Sequence, residues 1–163
     1  MIILNKVFHF CAAHRYGNPD LSETDNLAAF GEDLNIHGHN YELTVSITGA
    51  VNPATGFLVD LGHLKEVVKE HILKQVDHSQ IEIDIPWFKG RQPSTENMVV
   101  WMWEQIASHL KDGKLHRIRL QETPTIYTDY YGPEQQVTHT PGGVYFSPLK
   151  RMIYDGIQNE PLS

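Results

Sequence analysis

"NIHGHNYELTVSIT", residues 35–48, alternates apolar Tyr41, Leu43, Val45 and Ile47 with polar Glu42, Thr44, Ser46 and Thr48. A period of two over this length is that of a strand with one face in a core. A strand that begins at residue 37 places His37 and His39 on one face, about 7 Å apart along the backbone. Two imidazoles so placed can converge on one ion, although at a strand start they can equally satisfy backbone groups. A zinc site needs a third ligand, and His14, at the end of the first strand in "CAAHR", is the candidate, because antiparallel neighbours lie side by side. Three histidines would leave one tetrahedral position open to substrate or water, as in catalytic rather than structural zinc sites.

Outward from this strand, the periodicity predicts a first strand over Ile2 to Phe10 and a polar, turn-rich connection from Tyr16 to Asn35, in which "ETDNLAAF" can form a short helix. In "DLGHLKEVVKEHILKQVDH", Leu61, Leu64, Val67, Val68, Ile72 and Val76 recur at helical spacing, which predicts a helix over about 61–76. A second helix follows "QPSTEN", capped by Ser94 or Thr95 with Glu96 in its first turn, and runs to about residue 110. Ile118 and Leu120 mark a third strand and "TIYTDYY" a fourth. The order ββααββ predicts an α+β fold, an antiparallel sheet with two helices on one face. Its free edges invite edge-to-edge pairing of subunits, so a homo-oligomer is expected. The expected division is a domain over residues 1–132 and a Pro- and Gly-rich extension of unknown role over 133–163.

The chain has 163 residues, 40% of them hydrophobic, enough for one sizeable core. Its net charge of -7 argues against nucleic acid as a partner. No apolar run is long enough for a membrane span, the N-terminus lacks signal-peptide features, and a lone cysteine, Cys11, suits a reducing compartment. A cytoplasmic protein is therefore expected. With Ala12 and Ala13 beside it, Cys11 reads as a packing residue.

Three further groups bear chemistry. Asp77 and His78 adjoin at the end of the first long helix, where the acid can orient the imidazole for proton transfer, or the imidazole can simply meet the helix dipole. Glu96 and Glu122, each near the edge of an element, can accept paired N–H donors from a heterocycle. Trp87 and Phe88 can stack on a flat ring or serve the core.

Together "FHFCAAHR", "IHGHNY", "VDH", "PSTEN" and "QET" resemble the 6-pyruvoyltetrahydropterin synthase family, which includes the 6-carboxytetrahydropterin synthases. The resemblance covers Ile2 to Gly132, and "DNLAAFG" and "IDIPWF" are more similar to the pyruvoyl enzymes. It implies the tunnelling fold, with subunits closing a β-barrel as trimers and hexamers and active sites at their interfaces. It also implies Zn2+ on His14, His37 and His39, a proton-transfer pair in Asp77 and His78, and a pterin anchor in Glu122 beside Thr95 and Glu96. The implied reaction converts 7,8-dihydroneopterin triphosphate to 6-pyruvoyltetrahydropterin with loss of triphosphate. Where the family carries a catalytic cysteine, a few residues before HGH, this chain has Glu32 and Asp33. Either carboxylate is then the candidate base, and side-chain cleavage to 6-hydroxymethyldihydropterin, 6-carboxytetrahydropterin formation or non-catalytic pterin binding are the alternatives.

Overall fold

The computed structural model describes residues 1–133, 137–140 and 143–146, in two units, Met1–Tyr130 and Tyr131–Ser163. In the first unit, β1 (Ile3–His14), β2 (His37–Thr48), β3 (Lys114–Thr123) and β4 (Ile126–Tyr130) form one antiparallel sheet in the order β1-β2-β3-β4. Between β1 and β2 lies α1 (Glu23–Phe30). Between β2 and β3 come α2 (Leu61–Val68), continued through a π-helical turn (Lys69–Leu73) into α3 (Lys74–Val76), then α4 (Ile81–Asp84) and α5 (Thr95–Ala107). The α+β architecture and the four strands match the pattern read from the sequence.

Alternation accounts for which sheet face is covered. Phe8, Phe10 and Ala12 of β1, Tyr41, Leu43, Val45 and Ile47 of β2, and Ile118 and Leu120 of β3 point to one side and are buried. They share a core with Leu64, Val68 and Ile72 of the α2 region and with Met98, Trp101, Met102 and Ile106 of α5. Each such aliphatic or aromatic side chain contributes about 1.5–3 kcal/mol by leaving water. The helices start where hydrogen-bonding caps allow: the Asp60 carboxylate accepts from the amides of Gly62 and His63, and the Ser94 hydroxyl accepts from that of Asn97. On the other side of the sheet, Arg119 grips Asp129 of β4 through two hydrogen bonds of 2.7 and 2.6 Å.

Two expectations need correction. β1 does not end near Phe10: Ala12 and His14 continue its inward-facing series at 2% and 0% exposure, so the strand carries His14 into the sheet. Cys11 is exposed rather than packed, because the same alternation that turns Phe10 and Ala12 inward turns Cys11 to the opposite face. In the second unit, β5 (Val137–Thr140) and β6 (Gly143–Phe146) pair antiparallel, and the rest of the Pro- and Gly-rich extension, 134–136, 141–142 and 147–163, lies outside the described residues.

Candidate functional site

The β1–β2 ladder pairs His14 with His37 and Ala12 with His39, so the register itself gathers three imidazoles at one end of the sheet. Their ring centroids lie 4.5 Å (His14–His37), 5.2 Å (His14–His39) and 5.2 Å (His37–His39) apart. One ring nitrogen from each falls within 4.8 Å of the others. Gly38 permits the close approach, since a Cβ there would sit 2.8 Å from the Ala12 carbonyl oxygen.

Hydrogen bonds behind the rings turn their other nitrogens into the site. His14 Nδ1 lies 3.2 Å from the Pro93 carbonyl oxygen and His37 Nδ1 lies 2.9 Å from that of Asn35. In the neutral tautomer each Nδ1–H donates there, leaving the Nε2 lone pair facing inward. His14 Nε2 and His39 Nε2 are buried and have no hydrogen-bond partner among the described residues. Buried, unsatisfied nitrogens are costly unless something fills the site, and lone pairs converging at this spacing suit a divalent cation. Burial, reinforced by His37 and His39, pushes the His14 imidazole down to about 4. It is therefore neutral at pH 7, the form that binds metal.

Acidic groups crowd the rim. Glu122 Oε1, near the end of β3, stands 3.2 Å from His39 Nε2 and 3.5 Å from His14 Nε2. Asp33 Oδ1 is 3.9 Å from His37 Nε2, and the Asp33 carbonyl accepts a 2.9 Å hydrogen bond from the Tyr16 amide. Both carboxylates considered for the base are exposed, Asp33 at 60%; Asp33 is the one within 4 Å of a triad nitrogen, and no ion pair joins Glu32 to the triad among the described residues. Glu96 is exposed in the first turn of α5. Thr95 is buried, and its hydroxyl is 2.7 Å from that of Thr128 on β4.

Asp77 and His78 are brought elsewhere on the rim. Asp77 Oδ1 accepts from the Cys11 amide at 3.0 Å and lies 3.1 Å from His78 Nδ1, while the His78 amide donates to the Cys11 carbonyl at 2.6 Å. The pair thus closes the outer edge of β1, with the His78 side chain 82% exposed and its backbone at φ +63°. That left-handed conformation is strained for a non-glycine residue. Neither residue contacts the triad of its own chain among the described residues. Phe88 is in the core and half-buried Trp87 has Arg91 4.1 Å above one face of its ring.

Two tyrosines complete the surroundings: Tyr41, which the sequence pattern marks only as a core residue of its strand, and Tyr16, which it does not mark. Tyr41 stacks on Phe10 at 4.9 Å, is 1% exposed, and its buried hydroxyl has no hydrogen-bond partner among the described residues. Tyr16 stands edge-on to His14 at 5.2 Å and parallel to Phe30 at 6.0 Å. Its phenol is pushed up to about 12 by burial, then by the charges of Glu122, Glu96 and Asp33. The alternation that runs through Tyr41 was a signal for the first; the second follows the strand that carries His14, where no period applies.

This histidine triad on two paired strands sits in a chain whose residues 3–133 match the 6-pyruvoyl tetrahydropterin synthase family, to which the chain belongs. Among its relatives are the 6-pyruvoyl tetrahydrobiopterin synthases of Drosophila melanogaster, 34% identical over 92% of this chain and 88% of that one, and of Homo sapiens, 35% identical over 76% and 86%. The solved structure of Caenorhabditis elegans 6-pyruvoyl tetrahydropterin synthase superposes with a TM-score of 0.76 at 33% identity, covering 80% of this chain and 95% of that one.

Proposed function

We propose that this chain is a zinc-dependent lyase that converts 7,8-dihydroneopterin triphosphate to 6-pyruvoyltetrahydropterin with release of triphosphate. The observation that carries this reading is the convergence of His14, His37 and His39, with unsatisfied Nε2 atoms, beside the carboxylate of Glu122. Bound to that triad, zinc would polarise a side-chain hydroxyl of the substrate and acidify the adjacent C–H.

The remaining work falls to the chain's own residues. Glu122 accepts N–H donors of the pterin ring, with Thr95 and Glu96 lining the pocket. Asp33 takes the proton from the side-chain carbon. Asp77 orients His78 for return of a proton, and because His78 points to solvent beside the β1 edge, the pair serves a site completed by a second copy of the chain. Assembly into a multi-subunit barrel fits a sheet that ends in β1 and β4. Protons move from side chain to ring and triphosphate leaves, so no external oxidant is required. No helix among the described residues is long and apolar enough to cross a membrane, in keeping with action on a water-soluble substrate in the cytoplasm.

One observation favours a second reading. The loop before His37 carries Glu32 and Asp33 and no thiol, and a carboxylate base is weaker than a thiolate unless burial raises it. The family resemblance supplies the alternative, since members with a glutamate near this position cleave the side chain to 6-hydroxymethyldihydropterin. Anaerobic incubation of the zinc-loaded protein with dihydroneopterin triphosphate, with products identified by mass, separates the two. Pyruvoyltetrahydropterin plus triphosphate supports the first, 6-hydroxymethyldihydropterin the second, and a bound but unconverted pterin overturns both.

A further inference from the structure

Glu122 continues the inward-facing series of Ile118 and Leu120 on β3, so it shares the sheet face that carries the histidines. Its side chain is 14% exposed, and its Oε1 lies 3.2 Å from His39 Nε2 and 3.5 Å from His14 Nε2. Neither contact is a hydrogen bond, because both nitrogens lack such a partner among the described residues. The carboxylate therefore stands beside the two nitrogens without lying on a donor axis.

That arrangement has a meaning in coordination chemistry. In a hydrogen bond the acceptor lies close to the N–H direction, whereas ligands of one ion aim their lone pairs at a third point and stand side by side. With metal–nitrogen and metal–oxygen bonds of about 2.1 Å, tetrahedral ligands sit about 3.4 Å apart. The two Glu122 separations fall on either side of that value. Asp33 is the weaker candidate for the same role, since it is far more exposed and approaches one triad nitrogen only, at 3.9 Å.

We propose that Glu122 is the fourth ligand of the metal ion in the substrate-free enzyme, and that the paired N–H donors of a pterin ring draw its carboxylate away, opening that position to the side-chain hydroxyl of the substrate. The ring's two donors occupy both carboxylate oxygens, so Glu122 cannot hold ion and ring together. This is an exchange of ligands, in which no bond of the substrate is made or broken. Its consequence is selectivity: the ion stays closed to water until a ring with that donor pair arrives. The inference rests on the pterin-binding half of the reading above.

The test uses protein loaded with cobalt(II), a paramagnetic stand-in for zinc that speeds the relaxation of solvent protons when water is among its ligands. Wild type should relax solvent little more than the zinc-loaded protein does, and Glu122→Ala, in which water takes the vacated position, should relax it faster. Chelator competition should show metal affinity at least about tenfold lower in that variant. Adding 6-methylpterin, which has the N–H donors and no side-chain hydroxyl, should bring wild type to the faster relaxation, a readout that needs no variant. Fast relaxation in wild type without pterin overturns the inference, and so does wild type that binds 6-methylpterin with no change. Neither measurement reads turnover, so a protein that behaves as expected here and yields no product overturns the lyase reading alone.

Discussion

His14 and His37 are direct cross-strand partners in the β1–β2 ladder, with ring centroids 4.5 Å apart. Twenty-two residues lie between them in the chain, yet a single register brings them to one end of the sheet. With His39 they should hold one divalent ion per protomer. Replacing any one of the three by alanine should drop the metal content of purified protein from near one toward zero while leaving the far-ultraviolet circular dichroism unchanged, as elemental analysis and spectra can check.

The metal-free protein should lose stability in acid over a defined window. His14 is held at about 4 in the folded state by burial and by His37 and His39, against 6.5 in an unfolded chain. Between these values the unfolded chain binds a proton that the folded protein does not. Stability is therefore fully present above about pH 6.5, falls as pH falls, and levels off below about 4. The loss amounts to about 3 kcal/mol at most. Urea titrations of chelator-treated protein at pH 7, 6, 5 and 4 should trace it, and His14→Gln should flatten the curve.

Gly38 should tolerate no side chain. A Cβ at that position would lie 2.8 Å from the Ala12 carbonyl oxygen and 3.3 Å from Ala13 Cα, both backbone atoms that move only with the strand. Gly38→Ala should destabilise the protein by about 1–3 kcal/mol and weaken metal binding by forcing β1 from β2 where the histidines face one another. Thermal melts and zinc titration of the variant measure the two effects.

The two acidic residues before the triad should behave unequally. Both side chains are exposed, but Asp33 Oδ1 lies 3.9 Å from His37 Nε2 and the Asp33 carbonyl accepts from the Tyr16 amide, whereas no ion pair joins Glu32 to the triad among the described residues. Asp33→Asn should lower kcat by about 10²-fold or more, the usual worth of a general base, and Glu32→Gln by little. The reverse order would transfer the base's role to Glu32.

Asp77→Ala should act through the β1 edge as well as through catalysis. The Asp77 carboxylate accepts from the Cys11 amide, so its removal leaves that donor unpaired and frees the His78 ring. Asp77→Asn keeps an acceptor there and should retain the fold while losing turnover. Denaturation midpoints read beside kcat will separate these contributions.

Short-range pattern settled a great deal. Tyr41, Leu43, Val45 and Ile47 announce a strand because side chains alternate every residue, and Leu64, Val67, Val68 and Ile72 announce a helix because one apolar stripe recurs with the helical period. The His-x-His pair was legible for the same reason, since alternation puts His37 and His39 on one face. Long-range pairing was legible only in part: His14 could be set beside the pair on an antiparallel neighbour, but not in a definite register. That β1 continues to His14 depended on its partner: the four residues after Phe10 are strand because β2 offers them hydrogen bonds, in a register that sets His14 against His37. The choice of Asp33 over Glu32, the seat of Asp77 and His78 on the β1 edge, the outward turn of Cys11 and the clamping of Tyr16 belong to the same category. Each depends on which segment packs against which, a matter of contacts between residues far apart in the chain. Periodicity specifies which residues of an element share a face, whereas only the closed tertiary structure specifies what that face meets.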